Sequence, residues 1–108
     1  MVTYFDVNDA LDGRGYKFEF EYGEYDYSWE QWRVYTKDSH VFYLNSSGCR
    51  CYDFDSNFAS DNVEGEMVEV SRLPSLAELL EQRGSADNEF WSESAEAVQQ
   101  RYRELGLR

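Results

Sequence analysis

The chain's rare reactive side chains gather in one stretch, His40 to Phe54, which holds its single histidine and both cysteines. His40, Cys49, Cys51 and Asp53 are the residue types of a zinc site, which takes four nitrogen or sulfur ligands in a tetrahedron. Such sites take paired cysteines with two to four residues between them; here the pair is C-x-C and a second pair is missing, so structural strand residues are the competing reading. A disulfide across one residue is strained, and reduced thiols follow. A Cys–His nucleophile would need a depressed thiol pKa, and only Arg50 lies nearby in sequence to supply it. A hairpin in this stretch is the fold that would bring His40 to the cysteines.

A second constellation overlaps the first. Counted from Asp53, the acids and amides Asp53, Asp55, Asn57, Asp61 and Glu64 occupy the side-chain positions of a twelve-residue calcium loop. The glycine needed for the sharp turn is replaced by Phe58, and the flanks read as strands. There is no phosphate-binding glycine loop and no serine elbow. The sequence therefore implies no cofactor and no enzyme.

Acids interleaved with aromatics carry the strongest functional signal. Glu19, Glu21, Glu24, Asp26 and Glu30 alternate with Phe20, Tyr22, Tyr25, Tyr27 and Trp29. The chain has 22 acids against 10 bases, a net charge of −12. The excess is spread evenly: ten acids and five bases fall in residues 1–54, twelve and five in 55–108. A field of this sign repels nucleic acid and anionic membranes and draws in basic protein surfaces. Tyrosine and tryptophan are enriched in interfaces. The expected contact set is Glu19, Glu21, Glu24, Tyr25, Asp26, Tyr27, Trp29 and Glu30, with Asp55, Asp61 and Glu64 from the acidic loop. The alternative is an amphipathic strand whose acids simply face solvent.

The elements that must position these groups follow from periodicity. The 108 residues form one domain, β-rich over 1–71 and helical over 74–106. An 18% aromatic content argues against disorder despite the charge. A strand is expected over Val2–Val7, then turns at Asp12-Gly13 and Gly15. Tyr16 to Tyr22 alternates, which would put Tyr16, Phe18, Phe20 and Tyr22 on one face and Lys17, Glu19 and Glu21 on the other. Trp29–Thr36 and Val41–Leu44 read as the next strands, joined by the polar turn Lys37-Asp38-Ser39. Ser46-Ser47-Gly48 reads as a turn into a fourth strand, Cys49–Phe54, and Glu66–Val70 as a final one.

Ser75-Leu76-Ala77-Glu78 is a helix-capping box, with Leu76, Leu79 and Leu80 as a buried stripe and Gly84 as the stop. A second helix runs from Asp87 or Asn88 to Gly106, with Trp91, Ala95, Val98, Tyr102 and Leu105 on one face. The expected fold is α+β: an antiparallel sheet of four or five strands with two C-terminal helices packed on one face. The apolar stripe of the last helix is also a candidate homo-oligomer interface. No apolar run reaches the length of a membrane span, and no secretory signal opens the chain, so a cytoplasmic protein is expected.

Ser47-Gly48-Cys49-Arg50-Cys51, followed by Phe54, resembles a small uncharacterised domain of actinobacterial phage proteins. The aromatic strand before it, Trp32 to Tyr43, is similar as well, and the likeness spans residues 29–58. It implies phage origin and an α+β fold, and no activity. With the charge, the expectation is a non-enzymatic acidic protein that inhibits or modulates a host protein with a basic surface. One candidate is a nucleic-acid-binding defence enzyme, blocked by mimicry of phosphates, in the host cytoplasm; metal binding or an accessory phage role is the alternative.

Overall fold

The computed structural model describes residues 5–25, 27–49, 52–70 and 95–106. Its centre is an antiparallel sheet in chain order, β1 (Lys17–Tyr25), β2 (Ser28–Lys37), β3 (His40–Cys49) and β4 (Val68–Val70). A short helix, α1 (Val7–Asp12), precedes it, and α2 (Ala95–Glu104) follows. The α+β class and the meander expected from the sequence are present.

Val7 lies in a helix instead of ending a strand. The Asp6 carboxylate accepts from the Asp9 amide at 3.0 Å and caps α1, and Val7 and Leu11 point inward. The β2–β3 hairpin closes through Asp38 and Ser39, both at positive φ (52° and 68°), the two-residue geometry that matches strand twist.

The first strand departs from simple alternation. Phe18 pairs with Tyr35 and Phe20 with Val34, so Glu19 is an extra residue, a bulge. Because side chains alternate with period two, one extra residue moves everything after it to the opposite face. Tyr16 and Phe18 therefore join one side of the sheet, Phe20 and Tyr22 the other. Glu19 and Glu21 are separated in the same way: Glu19 accepts from Thr36 Oγ1 at 2.7 Å, while Glu21 meets Arg33.

β3 corrects a further expectation. The Ser46-Ser47-Gly48 segment continues the strand, paired to Gln31, Glu30 and Trp29. Of the strand expected over Cys49–Phe54, Cys49 ends β3, Arg50 and Cys51 lie outside the described residues, and Tyr52 and Asp53 are not strand. Phe54–Asn57 is a 3-10 turn, and Glu64–Glu66 another, within the excursion to β4.

Both faces of the sheet are covered. On one, Phe20, Tyr22, Trp32, Val34, Val41 and Val70 pack with Val98 and Tyr102 of α2. On the other, Tyr16, Tyr35 and Leu44 pack with Val7 and Leu11 of α1 and with Phe54 and Val63 of the excursion. Of the two expected C-terminal helices, the second is seen from Ala95; residues 75–84, Trp91 and the start at Asp87 lie outside the described residues. Val98 and Tyr102 are fully buried against the sheet, so this part of the stripe offered as an oligomer interface is occupied within the chain; Trp91 lies outside the described residues.

Candidate functional site: a polar cleft on the loop-covered face

β2 carries large side chains in both phases. Trp32 and Val34 serve the helical face; Trp29, Gln31, Arg33 and Tyr35 face the excursion. Across the sheet from Gln31 stand Gly23 on β1 and Ser46 on β3. These are small, whereas the next rows hold Arg33 on one side and Trp29 on the other. The result is a depression over Gln31. Together with Tyr52, Asp53 and Phe54 of the excursion, and with Glu21, these side chains line a cleft of about 330 Å³.

The walls of the cleft are fixed by their own bonds. Trp29 Nε1 donates to the Cys49 carbonyl at 2.9 Å and to the Tyr52 carbonyl at 3.1 Å. The indole lies over Gly48, where a β-carbon would meet its ring at 3.1 Å. Arg33 donates to Glu21 Oε2 at 3.3 Å and to Asp55 Oδ1 at 3.1 Å, and its guanidinium sits 4.1 Å from the Phe54 ring centre. Asn8 Oδ1 accepts from Tyr35 Oη at 2.5 Å and lies 3.5 Å from Arg33 Nη1, which ties α1 to the same hub. Asp53 Oδ1 accepts from the Ser56 amide at 3.0 Å and from its hydroxyl, which caps the 3-10 turn.

Electrostatics follow this bonding. Burial raises the Asp55 pKa, and Arg33 opposes that shift only in part. The hydrogen bond from the Ser56 hydroxyl lowers the Asp53 pKa despite some desolvation. Burial lifts the Tyr35 phenol to about 12 against the pull of Arg33.

Gln31 is the exception. Its side chain is 3% exposed, and neither its Oε1 nor its Nε2 finds a partner among the described residues. Buried polar groups are nearly always hydrogen-bonded, so each such orphan needs a reason.

The residues singled out from the sequence are dispersed. Glu21, Trp29, Asp53 and Asp55 come together at or beside the cleft. Glu30 is buried on the helical face, where Asn45 Nδ2 lies 3.4 Å from its Oε1. Glu19 is engaged by Thr36 and by Lys17 at 3.7 Å. Tyr27 is 68% exposed beside the β1–β2 turn, and Glu24 and Tyr25 pair with Glu30 and Trp29. Asp26 lies outside the described residues. Asp61 is exposed, and Glu64 accepts from Tyr16 Oη at 2.9 Å.

The calcium-loop set does not converge. Asp53 caps a turn, Asp55 holds Arg33, Asn57 donates to Ser46 Oγ and to the Ser47 carbonyl, and Glu64 holds Tyr16. The zinc set fails for a simpler reason. His40 and Cys49 are the two ends of one extended strand, about 30 Å apart at the usual rise per residue. His40 instead meets Glu69 of β4, and Cys49 carries a free thiol. Cys51 lies outside the described residues. No group of three or more His, Cys, Asp or Glu that could hold a metal gathers among the described residues.

Gln31, Arg33, Tyr52 and Phe54 escaped sequence reasoning. One signal was present. β2 has aromatics in both phases, which means two covered faces, and then Gln31 and Arg33 must be interior and must be satisfied.

Comparison with protein-family models, with curated proteins and with solved structures finds no match to the chain. Among the described residues no helix is long and apolar enough to cross a membrane.

Proposed function

We propose that this is a non-enzymatic binding domain of phage type that docks its acidic surface on a basic face of a host protein. The observation that carries the reading is the imbalance of charge at the surface. Asp9, Asp12, Asp53, Asp61 and Glu66 are exposed and make no ion pair among the described residues. With a net charge of −12, this surface favours and accelerates encounter with a cationic partner. Tyr52 on the cleft and Tyr27 by the β1–β2 turn, 59% and 68% exposed, supply aromatic anchors. The acidic groups of β1 lie on two faces, so the docking surface is the rim formed by the excursion and the β1–β2 turn, not one stripe along a strand.

The test is capture of partners from host lysate by the full chain at about 0.1 M and about 1 M salt, where screening lengths differ threefold. A specific basic protein retained at low salt and released at high salt is expected. The triple variant Asp53→Asn, Asp61→Asn, Glu66→Gln should lose it. Retention that ignores both salt and the triple variant would remove the proposal.

A further inference from the structure

We infer that the cleft over Gln31 is a binding site for an uncharged planar ring that presents a hydrogen-bond donor and acceptor side by side. Nucleobases, their nucleosides and cyclic amides have this edge. The inference goes beyond the docking proposal and stands if no protein partner exists.

The first argument is the amide itself. Gln31 is 3% exposed, lines the cleft, and leaves both amide atoms without a partner among the described residues. A carboxamide carries its acceptor and donor in one plane. The group that satisfies both at once is another donor–acceptor edge, as when glutamine reads adenine bidentately. A guanidinium or ammonium would satisfy Oε1 alone, and a carboxylate or phosphate Nε2 alone.

The second argument is shape and size. At about 330 Å³ the cleft sits at the small end of ligand pockets, which suits a single heterocycle or nucleoside. Trp29 and Tyr52 line it, and aromatic faces stack on bases without regard to sequence. The Trp29 indole is held by two carbonyls and by Gly48, so its face is presented without loss of side-chain freedom on binding.

The third argument is charge. Among the described residues of the lining the one cation, Arg33, is engaged by Glu21 and Asp55. The remaining charged groups of the lining are the carboxylates of Glu21 and Asp53. Nothing in the described lining offers a phosphate a free positive charge, while the two carboxylates can accept from sugar hydroxyls. The site therefore takes a base or nucleoside and disfavours a nucleotide.

The experiment is a titration of the isotope-labelled full chain with adenine, adenosine, AMP and 2-pyridone, followed through the Gln31 side-chain amide and the Trp29 indole resonances. Adenine and adenosine should shift both saturably, with AMP weaker by about tenfold because of repulsion from the carboxylates. Binding of 2-pyridone as strong as that of adenine assigns the site to cyclic amides; stronger binding of adenosine than of adenine assigns it to nucleosides. Gln31→Met keeps the bulk and removes the polar atoms. It should weaken binding about tenfold or more and also raise the thermal midpoint, since an unpaired buried amide has gone. A purely structural glutamine would lower that midpoint on substitution. No shift with any probe overturns the inference, as does AMP binding equal to adenosine. The wild-type titration decides it even if the variant folds poorly.

Discussion

The two faces of the sheet are built from the same strands and solve different problems. The helical face is sealed by aromatics. Tyr22 and Trp32 stack at 5.4 Å and 8°, Tyr102 meets Phe20 edge-on, and the Tyr22 and Tyr102 hydroxyls lie 3.4 Å apart. The loop-covered face is held by polar ties radiating from Arg33, and it leaves a cleft with an unsatisfied amide at its floor. Close packing of buried rings gives stability; the cleft is where a ligand can still lower the free energy. That contrast places the stabilising residues on one side and the candidate site on the other.

The contrast is tested most strongly on the sealed face. Trp32→Ala should cost about 4 kcal/mol of unfolding free energy, read from denaturant midpoints, since it removes a large buried ring that the surroundings cannot replace. Arg33→Met on the other face should cost about 2 kcal/mol. It strands the half-buried Asp55 carboxylate, with the effect reduced by partial solvent screening. A larger loss for Arg33 than for Trp32 would reverse the assignment of roles.

Alkaline unfolding probes both faces. Tyr35, Tyr22 and Tyr102 all have raised pKa values through burial, Tyr35 from 10.0 to about 12. A group whose folded pKa lies above its unfolded value contributes stability that is complete below the unfolded pKa. Stability should therefore hold below pH 10 and fall as pH climbs through about 12. Tyr35→Phe should flatten the fall between those values while losing about 1 kcal/mol at neutral pH with the bond to Asn8. An unchanged alkaline slope would mean that Tyr35 is not the group titrating.

The smallest effect belongs to the rim of the cleft. Asp53→Ala should cost about 0.5 kcal/mol, the low end for a lost cap on an exposed turn. Because hydrogen bonding lowers the Asp53 pKa below its ordinary 3.8, this contribution is present above that value and disappears as pH falls through the lowered one. Denaturation at neutral and strongly acidic pH measures the difference.

Much of the scaffold was legible in sequence because its signals are local. Alternation marked the first strand, β-branched and aromatic runs marked the next two, and Lys37-Asp38-Ser39 marked the hairpin. The helical spacing of Val98 and Tyr102, four residues apart, marked the helix that packs on one face. Two local patterns leave out what the fold decides. Ser46-Ser47-Gly48 reads as a turn by composition. In the fold it is strand, since Ser46 Oγ donates to the Phe54 carbonyl and Gly48 makes room for Trp29. Likewise Asp53, Asp55, Asn57 and Glu64 have metal-loop spacing, but each has a separate partner in the fold.

By itself the sequence determined composition, charge, the run of strands and the amphipathic last helix, because each depends on neighbours a few residues away. The tertiary structure alone decided the rest. The bulge at Glu19 splits the aromatics of β1 between two faces, since register depends on the partner strand. The length of β3 keeps His40 from Cys49. Small side chains at Gly23 and Ser46, brought beside Gln31 only by pairing across three strands, open the cleft. A vacancy is a property of neighbours in space, and no spacing along the chain encodes it.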